Sequence, residues 1–228
     1  MTISQMKAQG YTIYCQKMDI DMLSLMEKWS KNEIAGKALN SGNPLRSVHL
    51  VEYQSKKFII KNDREIDHRF EKKIINFVFG GFYSRLIKIL NNLSPELRAH
   101  TADLYYVAEK SHLRQCVDVS AVHEYIEGEP IPAINETNAH EVKTLIMALH
   151  RAGLASNDIH PGNFIRTPSG ELKIIDLSCK GSIKICQAND ILTLRNKYHI
   201  DIEGHGWVYN LIMLKERFRR FSRRLRGK

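Results

Sequence analysis

The sequence predicts an α+β protein with two lobes, a small β-rich N-terminal lobe and a mainly helical C-terminal lobe. Short apolar runs of β-type composition dominate residues 1–61. Longer segments of the C-terminal half repeat their apolar residues at helical spacing. Between these regions, Glu127-Gly128-Glu129-Pro130 has the composition of a hinge. We therefore expect one lobe over residues 1–126 and the other over residues 127–228.

The N-terminal elements are predicted to be short strands around one helix. Residues 10–15 have β-type composition, and residues 19–30 have helical spacing. Turn-like residues at 41–44 and 54–56 separate further apolar runs. The last of these runs, Phe58-Ile59-Ile60-Lys61, is predicted to be a strand that ends in a lysine.

A helix and two strands are predicted to complete the first lobe. Residues 64–79 repeat apolar side chains at helical spacing until Gly80-Gly81 interrupts them. Strand-like segments follow at 104–108 and 121–126, and the second of these leads into the expected hinge.

The C-terminal half begins with a predicted helix over 136–151, and Gly153 lies just beyond its end. After a loop, apolar runs at 164–165 and 172–175 predict a hairpin. The remainder, from residue 189, is predicted to be mostly helical.

The loop and the hairpin contain the residues that indicate chemistry. Asp158 and Asn163 form a D-x-x-x-x-N pattern before the first hairpin strand, and Asp176 follows the return strand. Phosphoryl transfer needs a carboxylate that orients and deprotonates the acceptor hydroxyl, and oxygen ligands that hold Mg²⁺ against the phosphates of ATP. The order and spacing match those of protein kinases. We therefore predict Asp158 as catalytic base and Asn163 and Asp176 as metal ligands; the alternative is turn and strand-end residues, since Asx turns are common.

Lys61 is the candidate phosphate-binding lysine, because it closes a short apolar strand as in the V-A-I-K segment of kinases. The alternative is a solvated lysine at a strand end. Glu71, on the predicted helix that follows, is the candidate acidic partner, whereas Glu65 is too close along the chain. No G-x-G-x-x-G pattern is present, so the turn at 41–43 is the only plausible loop to cover the phosphates.

Two further polar residues have two interpretations each. His160 either orients the loop or touches substrate, or it is a packed histidine with one backbone hydrogen bond. Asp190 either accepts hydrogen bonds from the catalytic loop or caps the start of a helix.

The C-terminal segment predicts a basic amphipathic helix. Eight basic residues against one acid between Lys215 and Lys228 carry +7 of the net charge of +9. The apolar residues form one stripe at helical spacing: Trp207, Leu211, Leu214, Phe218, Phe221 and Leu225. A helix of this kind suits an anionic membrane surface, where each basic side chain contributes about 1 kcal/mol. We expect the stripe to pack on the body over 207–214, whereas from Phe218 onward binding to a membrane or an anionic substrate is an equal alternative.

The cysteine spacing and the hydropathy indicate the cellular compartment that we expect for this protein. Cys15, Cys116, Cys179 and Cys186 show neither C-x-x-C spacing nor zinc-type spacing with histidines, so free thiols in a reducing compartment are expected. Residues 1–15 lack the apolar segment of a secretory signal. No run approaches the ~18–20 apolar residues of a membrane span. The expectation is a soluble or peripheral cytoplasmic protein.

The chain resembles the bacterial lipopolysaccharide core heptose(II) kinase family over nearly its whole length. The matching segments are Glu124-Tyr125-Ile126-Glu127-Gly128, Met147-Ala148-Leu149-His150, Asp158-x-His160-x-Gly162-Asn163-Phe164-Ile165, Ile174-Ile175-Asp176-Leu177-Ser178 and the basic end from Phe218 to Lys228. The resemblance implies a protein-kinase-like fold and transfer of the γ-phosphate of ATP to a heptose hydroxyl of the inner core. It also implies an anionic glycolipid substrate at the cytoplasmic face of the inner membrane.

By this resemblance, Asp158 is the base, Asn163 and Asp176 hold Mg²⁺, and Lys61 binds phosphate. Two positions depart from the family pattern. Asn157 stands where the family has glycine before the catalytic aspartate. Tyr83-Ser84-Arg85 stands where the family has an acidic residue.

Other functions stay open on the sequence. Among enzymes, the alternative is a kinase for another small alcohol or lipid; D-x-H-P-G-N also occurs in a quinone-pathway family, but the K-x-G-Q signature expected there is absent. From a different class, the alternative is a non-catalytic kinase-like module that binds membrane through its tail. Nucleic-acid binding is not expected, because no RNA- or DNA-reading motif is recognised.

Overall fold

The computed structural model describes residues 2–40, 44–64, 82–112, 115–177, 182–204 and 206–225. Within these residues the protein is α+β, as predicted, with a large antiparallel sheet and several helices. The chain divides into two compact units. The first comprises Met1–Glu129 and Ile165–Ile175, and the second comprises Pro130–Phe164 and Asp176–Lys228.

Seven antiparallel strands form the sheet of the first unit. They are β1 (Ile3–Ala8), β2 (Tyr11–Gln16), β3 (Gly36–Leu39), β4 (Arg46–Tyr53), β5 (Lys56–Asp63), β6 (Leu104–His112) and β7 (Gln115–Glu124), in the spatial order β1-β2-β6-β7-β5-β4-β3. The turn predicted at 54–56 is confirmed, because Gln54 and Ser55 both have positive φ angles, as a two-residue hairpin turn requires. Strand β5 runs two residues beyond Lys61, so this lysine lies within a strand rather than at its end.

Among the described residues of this unit, the sheet is accompanied by the helices α1 (Met22–Ser30), α2 (Phe82–Asn91) and α3 (Pro95–Ala99). Helix α1 confirms the helix predicted over 19–30, and Asp21 caps it by accepting a hydrogen bond from the N–H of Leu23 at 2.9 Å. Its buried residues Met22 and Leu25 pack with apolar side chains of the sheet. The helix predicted over 64–79, with Glu65 and Glu71, and the turn at 41–43 lie outside the described residues.

The predicted helix after the hinge and the predicted hairpin are present, and a short strand, β8 (Glu129–Pro130), which was not predicted, lies within the expected hinge. The elements that follow β8 are α4 (Ala139–Arg151), a 3-10 turn (Pro161–Asn163), β9 (Phe164–Arg166), β10 (Leu172–Ile174), α5 (Ile183–Tyr198) and α6 (Trp207–Leu225). The predicted apolar face of α4 is confirmed, since Val142, Leu145, Ile146 and Leu149 are all buried. Gly153, with φ +79°, follows the end of α4 as expected.

Helix α6 corrects one prediction, because its apolar stripe does not pack on the body over 207–214. Trp207, Leu211 and Leu214 are 70%, 54% and 62% exposed, and Phe218 is 72% exposed. The helix instead packs near α5 through the opposite face, on which Tyr209 is buried and Val208, Ile212 and Met213 are half-buried. The sequence offers apolar residues on both faces, so helical spacing could not select the packed one. None of the helices in the described part of the chain is both long enough and apolar enough to cross a bilayer.

Candidate functional site

The loop between α4 and β9 brings two of the predicted site residues together. The side-chain amide of Asn163 donates from Nδ2 to the main-chain oxygen of Asp158 at 2.8 Å. The 3-10 turn at Pro161–Asn163 closes the loop between them, and a ring nitrogen of His160 accepts a hydrogen bond from the N–H of Gly162 at 3.1 Å. The carboxylate of Asp158 is exposed. The five-residue spacing therefore places an accessible carboxylate and an oriented amide on one compact loop.

His160 contributes to this loop without being packed in a core. Its side chain is exposed, and its bond to the N–H of Gly162 is local. This arrangement agrees with the interpretation that His160 orients the loop.

The carboxylate of Asp190 holds the loop by accepting hydrogen bonds from its main chain. It lies in the middle of α5 and is 1% exposed. One of its oxygens, Oδ1, accepts from the N–H of Asn157 at 2.6 Å, and Oδ2 accepts from the N–H of Ser156 at 2.9 Å. The prediction that Asp190 receives hydrogen bonds from the loop is confirmed. The alternative of a helix cap is wrong, because seven residues of α5 precede Asp190.

Two supporting residues escaped the sequence analysis. His150, in the last turn of α4, approaches Oδ2 of Asp190 through Nε2 at 2.9 Å. Gln187 donates from Nε2 to the main-chain oxygens of His150 and Leu154 at 2.9 and 3.1 Å. Sequence position alone could have indicated both residues. Gln187 and Asp190 are three residues apart and share one face of α5, and His150 lies at the end of the helix that precedes the loop.

The departure at Asn157 has a structural explanation. This residue has φ +58°, in the left-handed region that glycine adopts most easily. Asparagine is among the residues that tolerate this region best. The side chain of Asn189 also donates to Oδ1 of Asn157 at 3.2 Å. Asparagine therefore fits the left-handed backbone conformation that leads to Asp158.

Asp176 belongs to the same compact unit as Asp158 and Asn163. It follows β10 by two residues, is exposed, and has φ +60°. A left-handed aspartate is uncommon, and conformations of this kind concentrate at functional sites. The conformation turns the chain immediately after the hairpin at a residue that bears a carboxylate.

The donor set fits magnesium. Because Nδ2 of Asn163 is engaged by the main chain, the side-chain oxygen is the atom left for a cation. Magnesium prefers hard oxygen ligands and usually keeps several waters, so one amide and one carboxylate from the protein suffice. Among the described residues no cluster of three or more histidine, cysteine or acidic side chains has metal-binding geometry. Asn163 and Asp176 each carry an oxygen donor of the kind that magnesium prefers.

Lys61 belongs to the first unit and is half-buried in a central strand, where it pairs with Val48 and Ala121. The segment 83–85, which lacks the acidic residue of the family pattern, begins α2. A buried carboxylate from β6 reaches this helix start, because Glu109 accepts from the N–H groups of Tyr83 and Ser84 at 2.9 and 3.1 Å. A negative charge at a helix N-terminus is favourable. The sequence analysis gave Glu109 no role.

The described cysteines are free thiols, as predicted for them: Cys15, Cys116 and Cys186. Cys179 lies outside the described residues. Burial raises the pKa of the Cys15 thiol to about 11 and that of Cys116 to about 12. Both therefore stay protonated at neutral pH, which suits packing rather than nucleophilic chemistry.

An α+β protein with an Asp–Asn loop, a buried aspartate beneath it and a second exposed aspartate after a hairpin belongs, by this pattern, to the kinase-type phosphotransferases. Residues 2–228 match the family described as lipopolysaccharide core biosynthesis protein (WaaY). The chain belongs to that family.

Two relatives are similar to this chain over most of their length. The lipopolysaccharide core heptose(II) kinase WaaY of Escherichia coli strain K12 is 32% identical over 184 residues, which cover 79% of each chain. A second heptose(II) kinase WaaY of Escherichia coli is 28% identical over 184 residues, covering 79% of this chain and 80% of its own.

Proposed function

We propose that this protein is an ATP-dependent kinase that transfers the γ-phosphate to a heptose hydroxyl of the lipopolysaccharide inner core. The observation that carries the proposal is the loop in which Asn163 bonds the main chain of Asp158 while Asp190 holds the preceding residues. The names of the two relatives supply the acceptor class. In this proposal the β-rich unit acts as the nucleotide-binding lobe of a two-lobed kinase-like fold, and the helical unit acts as the catalytic lobe.

Asp158 acts as the catalytic base in this mechanism. Its exposed carboxylate accepts the proton of the acceptor hydroxyl and orients the hydroxyl oxygen toward the phosphoryl group. The hydrogen bonds to Asp190 hold the main chain that precedes Asp158. The loop therefore loses little conformational freedom when substrate binds.

Asn163 and Asp176 are proposed to hold Mg²⁺, which when bound neutralises charge on the phosphates of ATP. Lys61 is proposed to bind the phosphates, since a lysine in a central strand of the β-rich unit matches the kinase pattern.

Helix α6 is proposed to hold the enzyme at the anionic, cytoplasmic surface of the inner membrane. Its exposed stripe includes Trp207, Leu211, Leu214 and Phe218, and the basic residues of the segment cover other faces. A basic amphipathic helix with aromatic residues on its apolar face binds such surfaces in their plane. The acceptor is a glycolipid, so the same helix would bring the enzyme to its substrate.

The direct test is transfer of labelled phosphate from ATP to lipopolysaccharide that lacks the core phosphate. Asp158→Ala should lower the rate by about 10²–10⁴, because that is the contribution of a positioned general base. Asp19→Ala, which changes an exposed aspartate of the first unit, serves as the matched control and should leave the rate unchanged. Mass spectrometry of the core should show one added phosphate with the unmodified enzyme. Full turnover by Asp158→Ala would refute the assignment.

A further inference from the structure

Helix α5 contacts the loop that carries Asp158 at a second point, on the other side of this aspartate from Asn157. The hydroxyl of Tyr198 donates to the main-chain oxygen of Ile159 at 3.2 Å. Because a carbonyl oxygen only accepts, the hydroxyl is the donor in this bond. Tyr198 is the last residue of α5 and lies about 12 Å further along the helix than Asp190. Two different turns of one helix therefore hold the loop before and after Asp158.

The main chain around Asp158 is held at three successive residues. The N–H of Asn157 is bound by the buried carboxylate of α5 at 2.6 Å. The main-chain oxygen of Asp158 accepts from the amide of Asn163 at 2.8 Å. The bond from Tyr198 to Ile159 is the third. It lies beyond Asp158, so peptide groups on both sides of the proposed base are fixed.

The end of α5 determines where the ring of Tyr198 lies. His199, which follows the helix, has φ +54°, and its N–H bonds the main-chain oxygen of Leu194. The N–H of Ile200 donates to the same oxygen at 3.1 Å, and the side chain of Ile200 is buried. A left-handed residue with bonds of this kind is a common helix ending. Nζ of Lys197 also lies 5.1 Å from the centre of the Tyr198 ring, a further favourable contact.

We propose that Tyr198 is a positioning residue for phosphoryl transfer, which aims the carboxylate of Asp158 by fixing the main chain that follows it. The inference rests on the proposed function, in which Asp158 is the base. Tyr198 acts through the main chain of Ile159 rather than on the substrate. A base must lie within hydrogen-bond reach of the proton that it removes, and a displacement of about 1 Å can cost about 10²-fold in rate. Loosening the loop should therefore lower turnover without changing the binding of either substrate.

Tyr198→Phe tests the anchoring, because it keeps the ring and removes only the donor. Hydrogen–deuterium exchange of the loop amides at 158–163 should be faster by about three- to tenfold, the factor that one neutral hydrogen bond contributes to an opening equilibrium. Tyr53→Phe is the matched control, because the Tyr53 hydroxyl shares a hydrogen bond of the same length, 3.2 Å, with Ser24 in the first unit. This control should leave exchange of the loop unchanged. Unchanged loop exchange in Tyr198→Phe would overturn the proposal.

The kinetic test compares Tyr198→Phe with and without Asp158→Ala. In the parent background kcat should fall about three- to tenfold, while KM for ATP and for the acceptor stays the same. In the Asp158→Ala background there is no base to aim, so Tyr198→Phe should leave the residual rate unchanged. An equal fall in both backgrounds would indicate a general loss of structure, and full kcat in the single variant would show that the bond is not needed. Either result would overturn the positioning role.

The two measurements separate this inference from the proposed function. If Asp158→Ala transfers phosphate at the full rate, the assignment of the base fails, and Tyr198 loses its role in the reaction even where loop exchange responds. If Asp158→Ala is impaired and Tyr198→Phe is not, the kinase assignment stands and only the positioning role fails.

Discussion

Asp190 shows how much of the loop depends on one buried side chain. A carboxylate that is 1% exposed needs several donors to offset the loss of water. Two loop N–H groups and His150 serve this role. The same bonds fix the main chain just before Asp158, so the stability of the fold and the position of the proposed catalytic base depend on the same atoms.

Asp190→Ala should lower the free energy of unfolding by about 3–5 kcal/mol, because it leaves buried donors without an acceptor. Urea denaturation followed by circular dichroism measures this change. Asp19→Ala, at an exposed position, should change the free energy by less than about 0.5 kcal/mol. An Asp190→Ala protein as stable as its parent would contradict the anchoring role.

Gly128 is a second residue at which the surroundings determine which side chain fits. It has φ +145°, and a Cβ there would lie 2.3 Å from the main-chain oxygen of Arg166. Backbone atoms cannot yield as a flexible side chain can. Gly170 also has a positive φ, +85°, but a Cβ there would meet nothing within 4 Å.

Gly128→Ala should therefore destabilise the protein clearly more than Gly170→Ala does. Both substitutions add the strain of a left-handed alanine, about 1 kcal/mol, and only the first adds a steric clash. Thermal unfolding of the two variants side by side gives the comparison. Equal melting temperatures would show that the chain near Gly128 relaxes freely.

At the scale of elements, helix α6 has two apolar faces with different surroundings. Tyr209 and Ile212 lie on the packed face, whereas Leu211 and Leu214 are exposed. Exposed apolar side chains in a row mark interaction surfaces when they are contiguous. The exposed face is the one proposed to bind a lipid surface.

Replacing Leu211 and Leu214 together by serine should weaken binding to anionic vesicles about tenfold or more, since each leucine loses its burial in the bilayer boundary. Stability should stay nearly unchanged. Ile212→Ala, on the packed face, should instead lower stability and leave vesicle binding intact. Co-sedimentation at low and high salt measures binding, which should fall as salt rises. Unchanged co-sedimentation of the double variant with vesicles would contradict a membrane-binding role for this face.

At the scale of the whole molecule, a ligand that binds the folded state raises its stability. ATP with Mg²⁺ at about 100 times its dissociation constant should add about 2.7 kcal/mol. For a chain of this size that corresponds to a rise in melting temperature of about 5–10 °C. Lys61→Ala should lose most of this rise, and Lys7→Ala should retain it. No rise in the melting temperature of the unmodified protein would contradict the proposal that the β-rich unit binds ATP.

The sequence predicted the elements well where the signal is local. Helix α1, the apolar face of α4 and the hairpin turn at Gln54-Ser55 follow from spacing and turn chemistry, which neighbouring residues determine among themselves. Strand β1 and the true start of α5, six residues before its predicted start, were missed. Their patterns are weak, and pairing or packing with other segments decides them.

The sequence by itself determined the α+β class and the Asp158–Asn163 loop, because periodicity and five-residue spacing are properties of short segments. Only the tertiary structure decided which face of α6 is covered, that Asp190 reaches Ser156 and Asn157, and that Glu109 meets the start of α2. The bonds made by Asp190 and Glu109 join residues more than twenty positions apart. A pattern within a short segment does not specify which distant side chain will complete a hydrogen bond or cover an apolar face. The folded structure alone determines these long-range contacts.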